Sequence, residues 1–471
     1  MKKKVVIYCF RQDLRLSDNP ALTEAAKHGN ILPVYILDNI NAGKYLLGSA
    51  SRWWLYYSLR ALSISMGNTL SVYRGNPKNI LDDICMRFDV DAVYWNRCYE
   101  PWQMHRDVRI KKHLEARGIN VYTCNSSLLW EPWNIKKNDG MPYKVFTPFY
   151  NKGCLNAEAP RLPLSKVENV NYISDNDQIG INALGLLPQI SWDKQLEPCW
   201  EIGEAGAYKR FEDFIDKGLP FYKDGRNLPA KPYVSRLSPH LHFGEISPNK
   251  LWYSVRRMGN NKHIEHFCSE LGWREFSYSQ LYYNPEMSHK NIQSKFDAFP
   301  WIKNADHFNA WKTGNTGIPM VDAGMRELWK TGYMHNRVRM IVASFLVKNL
   351  RLHWHHGERW FWDTLVDANV ANNSASWQWI AGCGADAAPY FRIFNPVIQG
   401  QKFDPDGQYI RHYLPEIATL PDKYLFSPWE TPLLVLKKAG IELGLTYPHP
   451  IVNLKQSRDS ALTAFQSLRP K

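Results

Sequence analysis

The first 130 residues alternate between short apolar runs and helical patterns. Apolar, mostly β-branched runs predict strands at residues 5–8, 31–37, 70–73, 92–95 and 121–122, and amphipathic patterns predict helices at 20–27, 53–66, 79–88 and 104–117. Strands that alternate with helices are typical of a parallel sheet covered on both faces. We therefore predict a Rossmann-like α/β domain over residues 1–130.

The pattern changes after residue 130. Residues 131–200 contain many prolines and show little periodicity, which predicts a long interdomain linker. Beyond residue 200 strand patterns almost vanish, and apolar residues recur at helical spacing in segments 207–217, 250–258, 264–283, 321–330 and 336–350. We therefore predict a second, all-α domain over residues 201–471.

The composition is ordinary for a folded protein except in two respects. Hydrophobic residues make up 44% of the 471 positions and charged residues 22%, which argues against a disordered or fibrous chain. Lysine and arginine outnumber aspartate and glutamate by 58 to 45, for a net charge of +13, and there are 19 tryptophans. The charge favours an anionic partner, nucleic acid before a membrane surface; a basic surface without a partner is the alternative.

Cysteine usage and hydropathy exclude further classes. The eight cysteines include no C-x-x-C pair, which argues against a zinc or iron–sulfur site. We predict no metal, reduced thiols and a cytoplasmic location. The longest mainly apolar run outside the first strand, residues 340–347, is too short to span a bilayer, so we predict no membrane segment.

Four stretches of the second predicted domain carry most of the candidate chemistry. In the first, residues 233–248, the hydroxyls of Ser235 and Ser238 and the guanidinium of Arg236 stand near a predicted helix start. This combination suits a diphosphate group. An ordinary loop with an N-cap serine is the alternative.

The second stretch, residues 269–276, lies inside a helical pattern. Spacings of three and four place Glu270, Trp273 and Arg274 on one helix face. A carboxylate, an indole plane and a guanidinium on one face could bind a flat heterocycle. A core-facing tryptophan beside a salt bridge is the alternative.

The third stretch, residues 332–340, places Asn336 and Met340 on one helical face, with Arg339 one turn from Asn336 and Arg337 pointing elsewhere. An amide, a thioether and two guanidiniums are an unusual set for a core helix. An amphipathic helix with a solvated basic side is the alternative.

The fourth stretch runs from Asp367 to residue 396. On a helix, Trp377 and Trp379 point in different directions, so that one indole can face inward while the other faces outward. A pair of core tryptophans is the alternative, and it is weakened because Asp367, Asn372 and Asn373 crowd the same segment.

These stretches, together with the motifs FRQDLRLSDN at residues 10–19 and YKVFTPF at residues 143–149, resemble the photolyase/cryptochrome family. Within that family the chain is most similar to class I cyclobutane pyrimidine dimer photolyases. The resemblance covers nearly the whole chain. It implies an N-terminal antenna domain, a helical domain that holds FAD, and light-dependent repair of pyrimidine dimers in DNA by electron transfer from reduced FAD.

The resemblance also assigns roles to individual residues. The implied FAD-binding residues are Tyr222, Val234, Ser235, Arg236, Leu237, Ser238, Phe267, Glu270, Asn336, Arg339, Asp367, Ala368, Asn369 and Asn373. The implied electron carriers, from flavin to surface, are Trp377, Trp354 and Trp301.

By the same resemblance, a flipped-out dimer would occupy a catalytic pocket formed by Glu270, Trp273, Asn336, Met340 and Trp379. The implied DNA-binding residues are Arg226, Glu270, Trp273, Arg274, Ser277, Asn336, Arg337, Trp379 and Arg392. Such an enzyme would act as a monomer in the cytoplasm, bound to the nucleoid when it is on DNA.

Several alternatives stay open within the resemblance. Trp102 and Gln103 stand where folate-binding relatives have an Asn–Glu pair, so a second chromophore could be methenyltetrahydrofolate or a deazaflavin. Val234 replaces a hydroxyl residue of many relatives, and Asn369 replaces a common aspartate. A cryptochrome-type light sensor and a (6-4) photolyase are the alternative functions; a (6-4) photolyase would have two histidines near positions 336 and 340.

Overall fold

Five β-strands form one parallel sheet in the order β3-β2-β1-β4-β5. The strands are β1 Val5–Phe10, β2 Asn30–Leu37, β3 Ser71–Arg74, β4 Val90–Asn96 and β5 Asn120–Cys124. The central strand β1 pairs with β2 on one side and β4 on the other, so Ile7 lies opposite Leu32 and Val93. The computed structural model describes residues 4–468. Residues 1–3 and 469–471, at the ends of the two predicted domains, lie outside the described part.

Helices account for most of the remaining regular structure. The first ten are α1 Pro20–His28, α2 Ser49–Ser65, α3 Pro77–Phe88, α4 Pro101–Ala116, α5 Phe146–Pro148, α6 Glu204–Lys217, α7 Tyr222–Gly225, α8 Ser238–Phe243, α9 Pro248–Arg256 and α10 Lys262–Tyr283. The next ten are α11 Ala305–Thr313, α12 Pro319–Thr331, α13 Asn336–Ser344, α14 Trp354–Thr364, α15 Val370–Ala381, α16 Pro396–Phe403, α17 Gln408–Tyr413, α18 Asp422–Leu425, α19 Leu433–Ala439 and α20 Leu454–Gln466. Every helix in residues 4–468 is too short or too polar to traverse a lipid bilayer.

The predicted fold class is confirmed. All strands and helices predicted in the first 130 residues are present, because parallel strands buried on both faces read as continuous apolar runs. One difference concerns the predicted helix over residues 336–350. The α-helical part ends at Ser344 and a turn of π-helix, Phe345–Asn349, follows, a change in winding that apolar spacing does not reveal.

A hydrophobic core covers one face of the sheet. Ile7, Leu32 and Val93 from the strands pack with Leu81 of α3 and Leu114 of α4, and all five are fully buried. Burial of this apolar area is the main stabilising term for such a layer.

The chain divides into two compact units that do not follow the predicted domain boundaries residue for residue. The first contains the sheet and is made of Met1–Pro220, Ser235–Pro285 and Val366–Ala371. The second is made of Phe221–Val234, Glu286–Leu365 and Asn372–Lys471 and is helical. The boundaries at residues 130 and 200 stay predictions.

Within the first unit, helix α10 is tied to the segment after β5 by a buried carboxylate. Glu275 Oε2 accepts the backbone N–H groups of Leu129 at 2.9 Å and Trp130 at 3.2 Å. Arg274 donates to Glu275 Oε1 at 3.3 Å and to the Ser127 carbonyl at 2.6 Å. Burial raises the pKa of Glu275 to about 7. These bonds fix the rotation of α10, which carries several candidate site residues.

We expect Glu275→Ala to lower the apparent thermal unfolding midpoint clearly. It leaves the buried N–H groups of Leu129 and Trp130 without their acceptor and removes the carboxylate partner of Arg274, which keeps the Ser127 carbonyl, a loss of about 3 kcal/mol or more. Glu275→Gln keeps an acceptor oxygen and should lose less. Differential scanning fluorimetry of both variants tests this, and an unchanged midpoint for Glu275→Ala would contradict the role given to the carboxylate.

Candidate functional site

Ser238 and Asp367 meet in the first unit although 129 positions separate them. The Ser238 hydroxyl donates to Asp367 Oδ2 at 2.6 Å, and Asp367 is buried. Helix α8 has Leu237 at its N-cap position, with no side-chain capping bond. The hydroxyl of Ser238 therefore bonds the carboxylate and does not cap α8. The N-cap serine of this stretch is Ser247, whose hydroxyl accepts the Lys250 N–H at 2.9 Å at the start of α9.

The loop before α8 has an unusual backbone. Arg236 adopts a φ of +52°, a left-handed conformation that is uncommon for residues other than glycine. Its guanidinium lies over the Trp200 ring at 4.4 Å, and the Ser235 hydroxyl accepts the Leu237 N–H at 3.4 Å. The structure thus holds the predicted serine-arginine loop in one defined shape.

Next to Asp367 in sequence, Ala368 and Asn369 are both buried. The Asn369 amide donates to the Tyr278 hydroxyl at 2.8 Å, and burial raises the pKa of that phenol to about 12. Sequence analysis missed Tyr278. Its position on α10 eleven residues after Phe267, a predicted site residue on the same helix, was the available signal.

His242 of α8 provides a test of whether a polar cofactor fits this region. The imidazole is buried, and its Nδ1 has no hydrogen-bond partner among the residues that the structure describes. Burial lowers the pKa of His242 to about 4, partly opposed by Asp367. A buried polar atom left without a partner is rare in a folded chain. A polar group such as a flavin nucleotide would relieve it, and the donors and acceptors of this cluster fit one.

Helix α10 presents the predicted heterocycle-binding face. Glu270 and Trp273 are both half-buried and one turn apart. The Trp273 indole stacks on Phe146 with 3.8 Å between ring centroids and an angle of 11°. Glu270 lies 3.9 Å from His266 Nε2, a long and weak ion pair. Phe146 belongs to the motif at residues 143–149 and has the role of supporting the indole, which the sequence did not reveal.

Two predicted DNA-binding residues of α10 point into the protein. The Arg274 side chain is 11% exposed and, besides the bonds to Ser127 and Glu275, lies over the Tyr278 ring at 5.1 Å. Ser277 is buried and donates to the Trp273 carbonyl at 3.0 Å. These placements favour a role in positioning α10 over direct contact with a DNA phosphate.

In the second unit, helix α13 carries Asn336, which is exposed, and Met340, which is half-buried. Spacing of four places both on one face, as predicted. The helix is capped by His335, whose Nδ1 accepts the Arg337 N–H at 3.2 Å. The backbone N–H of His335 donates to Glu327 Oε2 at 3.2 Å. The bonds of His335 thus fix the first turn of α13, while the Asn336 amide next to it is exposed.

Several guanidiniums surround the start of α13. Arg337 donates to Asn227 Oδ1 at 2.8 Å and lies over the Phe403 ring at 4.4 Å. Burial, and then the neighbouring Arg226, lower the pKa of Arg337 below its ordinary value. The same kind of repulsion, after burial, lowers the pKa of His335 to about 3. Like charges held this close favour an anion in their vicinity. Arg392, in the segment before α16, is exposed.

Helix α15 holds Asn373 and the two predicted tryptophans. The Asn373 amide donates to the Glu358 carbonyl at 3.0 Å, which fixes the orientation of the carboxamide. Between the tryptophans, the fully buried Gln378 donates to the carbonyls of Met287 at 2.6 Å and Lys290 at 2.8 Å. Trp377 is buried and Trp379 half-buried, as their different directions predicted.

The predicted electron carriers Trp377, Trp354 and Trp301 all lie in the second unit. The Trp377 ring packs against Gly357 so closely that a Cβ there would lie 2.0 Å from its Cη2 atom. Trp354 begins the same helix, α14, and is fully buried, whereas Trp301 is half-buried. Trp301, the last residue of the predicted path, is therefore the most exposed of the three.

The remaining predicted cofactor residues differ in burial. Tyr222 and Phe267 are buried, Val234 is half-buried, and Arg339 donates through Nε to the Met334 carbonyl at 2.7 Å.

Comparison with known proteins gives a consistent picture. A family model described as the FAD binding domain of DNA photolyase matches residues 267–467, and one described as DNA photolyase matches residues 6–166. The deoxyribodipyrimidine photo-lyase of Agrobacterium fabrum is 45% identical, over 100% of this chain and 99% of that protein. Cryptochrome-2 of Arabidopsis thaliana is 36% identical, over 100% of this chain and 80% of its own length. The crystal structure of a bacterial class III photolyase from Agrobacterium tumefaciens superposes with a TM-score of 0.94, at 44% identity, covering 99% of this chain and 98% of that one.

The hydrogen bond from Ser238 to Asp367 gives a test of the cofactor site. Ser238→Ala removes the hydroxyl that orients the Asp367 carboxyl. Ordering that side chain again when FAD binds costs about 0.5–1.5 kcal/mol, so we expect FAD to bind about two- to tenfold more weakly. Ser238→Thr keeps the hydroxyl and serves as the control. The flavin content of each protein after equilibrium dialysis measures this, and a Ser238→Ala protein that holds FAD as well as the unmodified chain would contradict it.

Proposed function

The chain belongs to the photolyase/cryptochrome family, and from this premise we propose that it repairs cyclobutane pyrimidine dimers in DNA in a light-dependent reaction. Its FAD-binding domain is the part that matches residues 267–467. The name of the Agrobacterium fabrum relative, which matches over the full length, supports dimer repair.

The class I assignment predicted from the sequence is not supported. The structure that superposes with a TM-score of 0.94 is a class III photolyase. We therefore propose that the chain is a dimer photolyase of that class.

The observation that carries the proposal is the half-buried face of α10 formed by Glu270 and Trp273. The Trp273 indole is held flat by stacking on Phe146, and Glu270 stands one turn away on the same helix. A rigid indole offers an apolar wall to an extruded pyrimidine, and a carboxyl group can bond its polar edge. Asn336 and Met340 form a second face of the same kind on α13, with a polar amide beside a thioether.

The chain's own residues provide the surroundings that such a reaction needs. Ser235, Arg236, Ser238 and Asp367 of the first unit would hold FAD, since the Ser238–Asp367 bond, the Ser235–Leu237 bond and the Arg236–Trp200 contact fix the loop that carries them. Bound FAD supplies, in its reduced form and under light, one electron that opens the cyclobutane ring and is then recovered. The residues predicted to form the catalytic pocket would orient the dimer and exclude water around it.

The charges provide the remaining part of DNA recognition. Arg226, Arg337 and the exposed Arg392 are proposed to contact backbone phosphates on either side of the lesion. A second, antenna chromophore belongs to the proposal with its identity open between methenyltetrahydrofolate and a deazaflavin. The absorbance spectrum of the native protein distinguishes the two.

A light-sensing function is the second candidate, because a plant cryptochrome is 36% identical over the whole chain. A (6-4) photolyase is disfavoured since Asn336 and Met340 occupy the positions where two histidines would be expected.

Illumination of purified, FAD-loaded and reduced protein with defined lesions separates these functions. We expect blue light to split a thymine dimer in an oligonucleotide into two intact thymines. A (6-4) photoproduct should stay unrepaired, and samples kept in the dark should show no repair. Chromatography of the digested oligonucleotide measures each lesion. Repair of the (6-4) lesion, or no repair of either, would support the rival functions instead.

Glu270 is the residue whose chemistry the proposal needs most. We expect Glu270→Ala to lower the number of dimers repaired per absorbed photon by about tenfold, because a hydrogen bond to a charged group contributes about 1.5 kcal/mol or more. FAD content should be unchanged. Glu270→Gln, which keeps the hydrogen-bonding shape, should retain more activity than Glu270→Ala. An unchanged quantum yield under saturating lesion would remove Glu270 from the mechanism.

A further inference from the structure

Histidines crowd the start of helix α14, and the proposed function gives them no role. His353 precedes Trp354, and His355 and His356 follow it. His353 is the N-cap of α14, and its Nδ1 accepts the His355 N–H at 3.2 Å. The capping bond explains the orientation of the imidazole, and it also places the ring against two other aromatic side chains.

The His353 ring contacts Trp354 and Trp301, the second and third tryptophans of the predicted electron path. Its centroid lies 5.7 Å from that of Trp354 with an angle of 26°, a stacked arrangement. Its centroid lies 5.0 Å from that of Trp301, at 58°. Trp301 is 52 positions away in the sequence, so this contact comes from the fold and not from chain proximity.

The two indoles are held in different ways. Trp354 is fully buried, and its N–H donates to Asn291 Oδ1 at 2.9 Å. The N–H of Trp301 is buried and has no hydrogen-bond partner within residues 4–468. The position of Trp301 therefore depends on ring packing, with Phe299 at 4.4 Å and with His353.

We propose that His353 is a positioning residue for photoreduction: its ring contacts both indoles, holds Trp301 in place and supplies the contact through which an electron passes from Trp301 to Trp354. The inference rests on the proposed function, since the order Trp377, Trp354, Trp301 comes from the family resemblance.

The electron balance is simple. With oxidised FAD bound, which under light would accept one electron from Trp377, Trp354 would reduce Trp377 and be left as a radical cation. Trp301 then reduces Trp354, and the positive charge moves to Trp301. A thiol in solution reduces Trp301 by one electron and releases its proton to water.

The surroundings of His353 suit this transfer. Burial, and then electrostatic repulsion from His356 and Arg359 on the same helix, lower the pKa of His353 to about 4, with Asp297 from the segment Ser294–Ala298 opposing. The ring is thus neutral at pH 7 and does not repel a positive charge on either indole. Asn291, the acceptor for Trp354, is an amide and cannot remove its proton, so the charge is free to move on to Trp301.

Two substitutions separate the ring contact from the helix cap. His353→Phe keeps an aromatic ring but cannot accept the His355 N–H, whereas His353→Asn can cap the helix but has no ring. Both are made in the full chain loaded with FAD. Flash-induced absorbance measures the yield and lifetime of the tryptophan radical, and thermal unfolding reports on the cap.

We expect His353→Asn to lower the yield of long-lived tryptophan radical by at least about tenfold, equivalent to about 1.4 kcal/mol in a barrier. His353→Phe should stay within about twofold of the unmodified chain, even if its unfolding midpoint falls. The proposal is overturned if His353→Asn forms the radical normally, or if His353→Phe loses as much radical as His353→Asn.

Two further measurements distinguish failure of this inference from failure of the proposed function. Trp301→Phe should abolish the long-lived radical; normal radical formation in that variant would show that the path avoids Trp301 and would overturn the role of His353. Dimer repair by protein that has been reduced chemically does not need the path, so all three variants should repair normally in that assay. Loss of repair in the unmodified, chemically reduced chain would contradict the proposed function and leave the radical measurements to decide on His353.

Discussion

The requirement that buried polar groups be hydrogen-bonded determines where the site residues stand. An unpaired buried donor or acceptor costs about 1–3 kcal/mol, and the candidate site is built from such groups. Asp367 is bonded by Ser238, Asn369 by Tyr278, and Asn373 by the Glu358 carbonyl. Asp367, Asn369 and Asn373 thus each have a polar atom bonded to the protein, which fixes the orientation of these three side chains. The Nδ1 atom of His242 lacks such a partner among residues 4–468, which is why that region suits a polar cofactor.

Helical periodicity allows one short segment to serve two kinds of chemistry. Trp377 and Trp379 are two residues apart on α15, and the buried amide of Gln378 between them anchors the helix to the segment before Ser294–Ala298. Trp377 can then pack against Gly357 inside the helical unit, while Trp379 is half-buried. If the helix could rotate, neither indole would keep its surroundings. In the proposed function, electron supply and lesion binding would therefore belong to different side chains of one helix.

The sequence predicted the sheet, its helices and most candidate residues, for physical reasons that differ between them. Strands such as β1 were predictable because burial on both faces leaves a continuous apolar run, and the pair Asn336–Met340 because helical spacing alone places them together. The inward orientation of Arg274 was not predictable, since it depends on Ser127 and Glu275, and Ser127 is distant in sequence. For the same reason the contacts of Phe146 with Trp273, of Tyr278 with Asn369 and of His353 with Trp301 were not predictable, because only the fold creates them.

The central claim is that this chain uses light and reduced FAD to split pyrimidine dimers held against Trp273 and Glu270. A single-flash experiment tests it most directly: chemically reduced protein is saturated with an oligonucleotide that contains one thymine dimer, exposed to one short blue flash, and the restored thymines are counted against absorbed photons. We expect dimer splitting in proportion to the photons absorbed, with none in the dark. Bound and reduced FAD, a bound dimer and no splitting after the flash would contradict it.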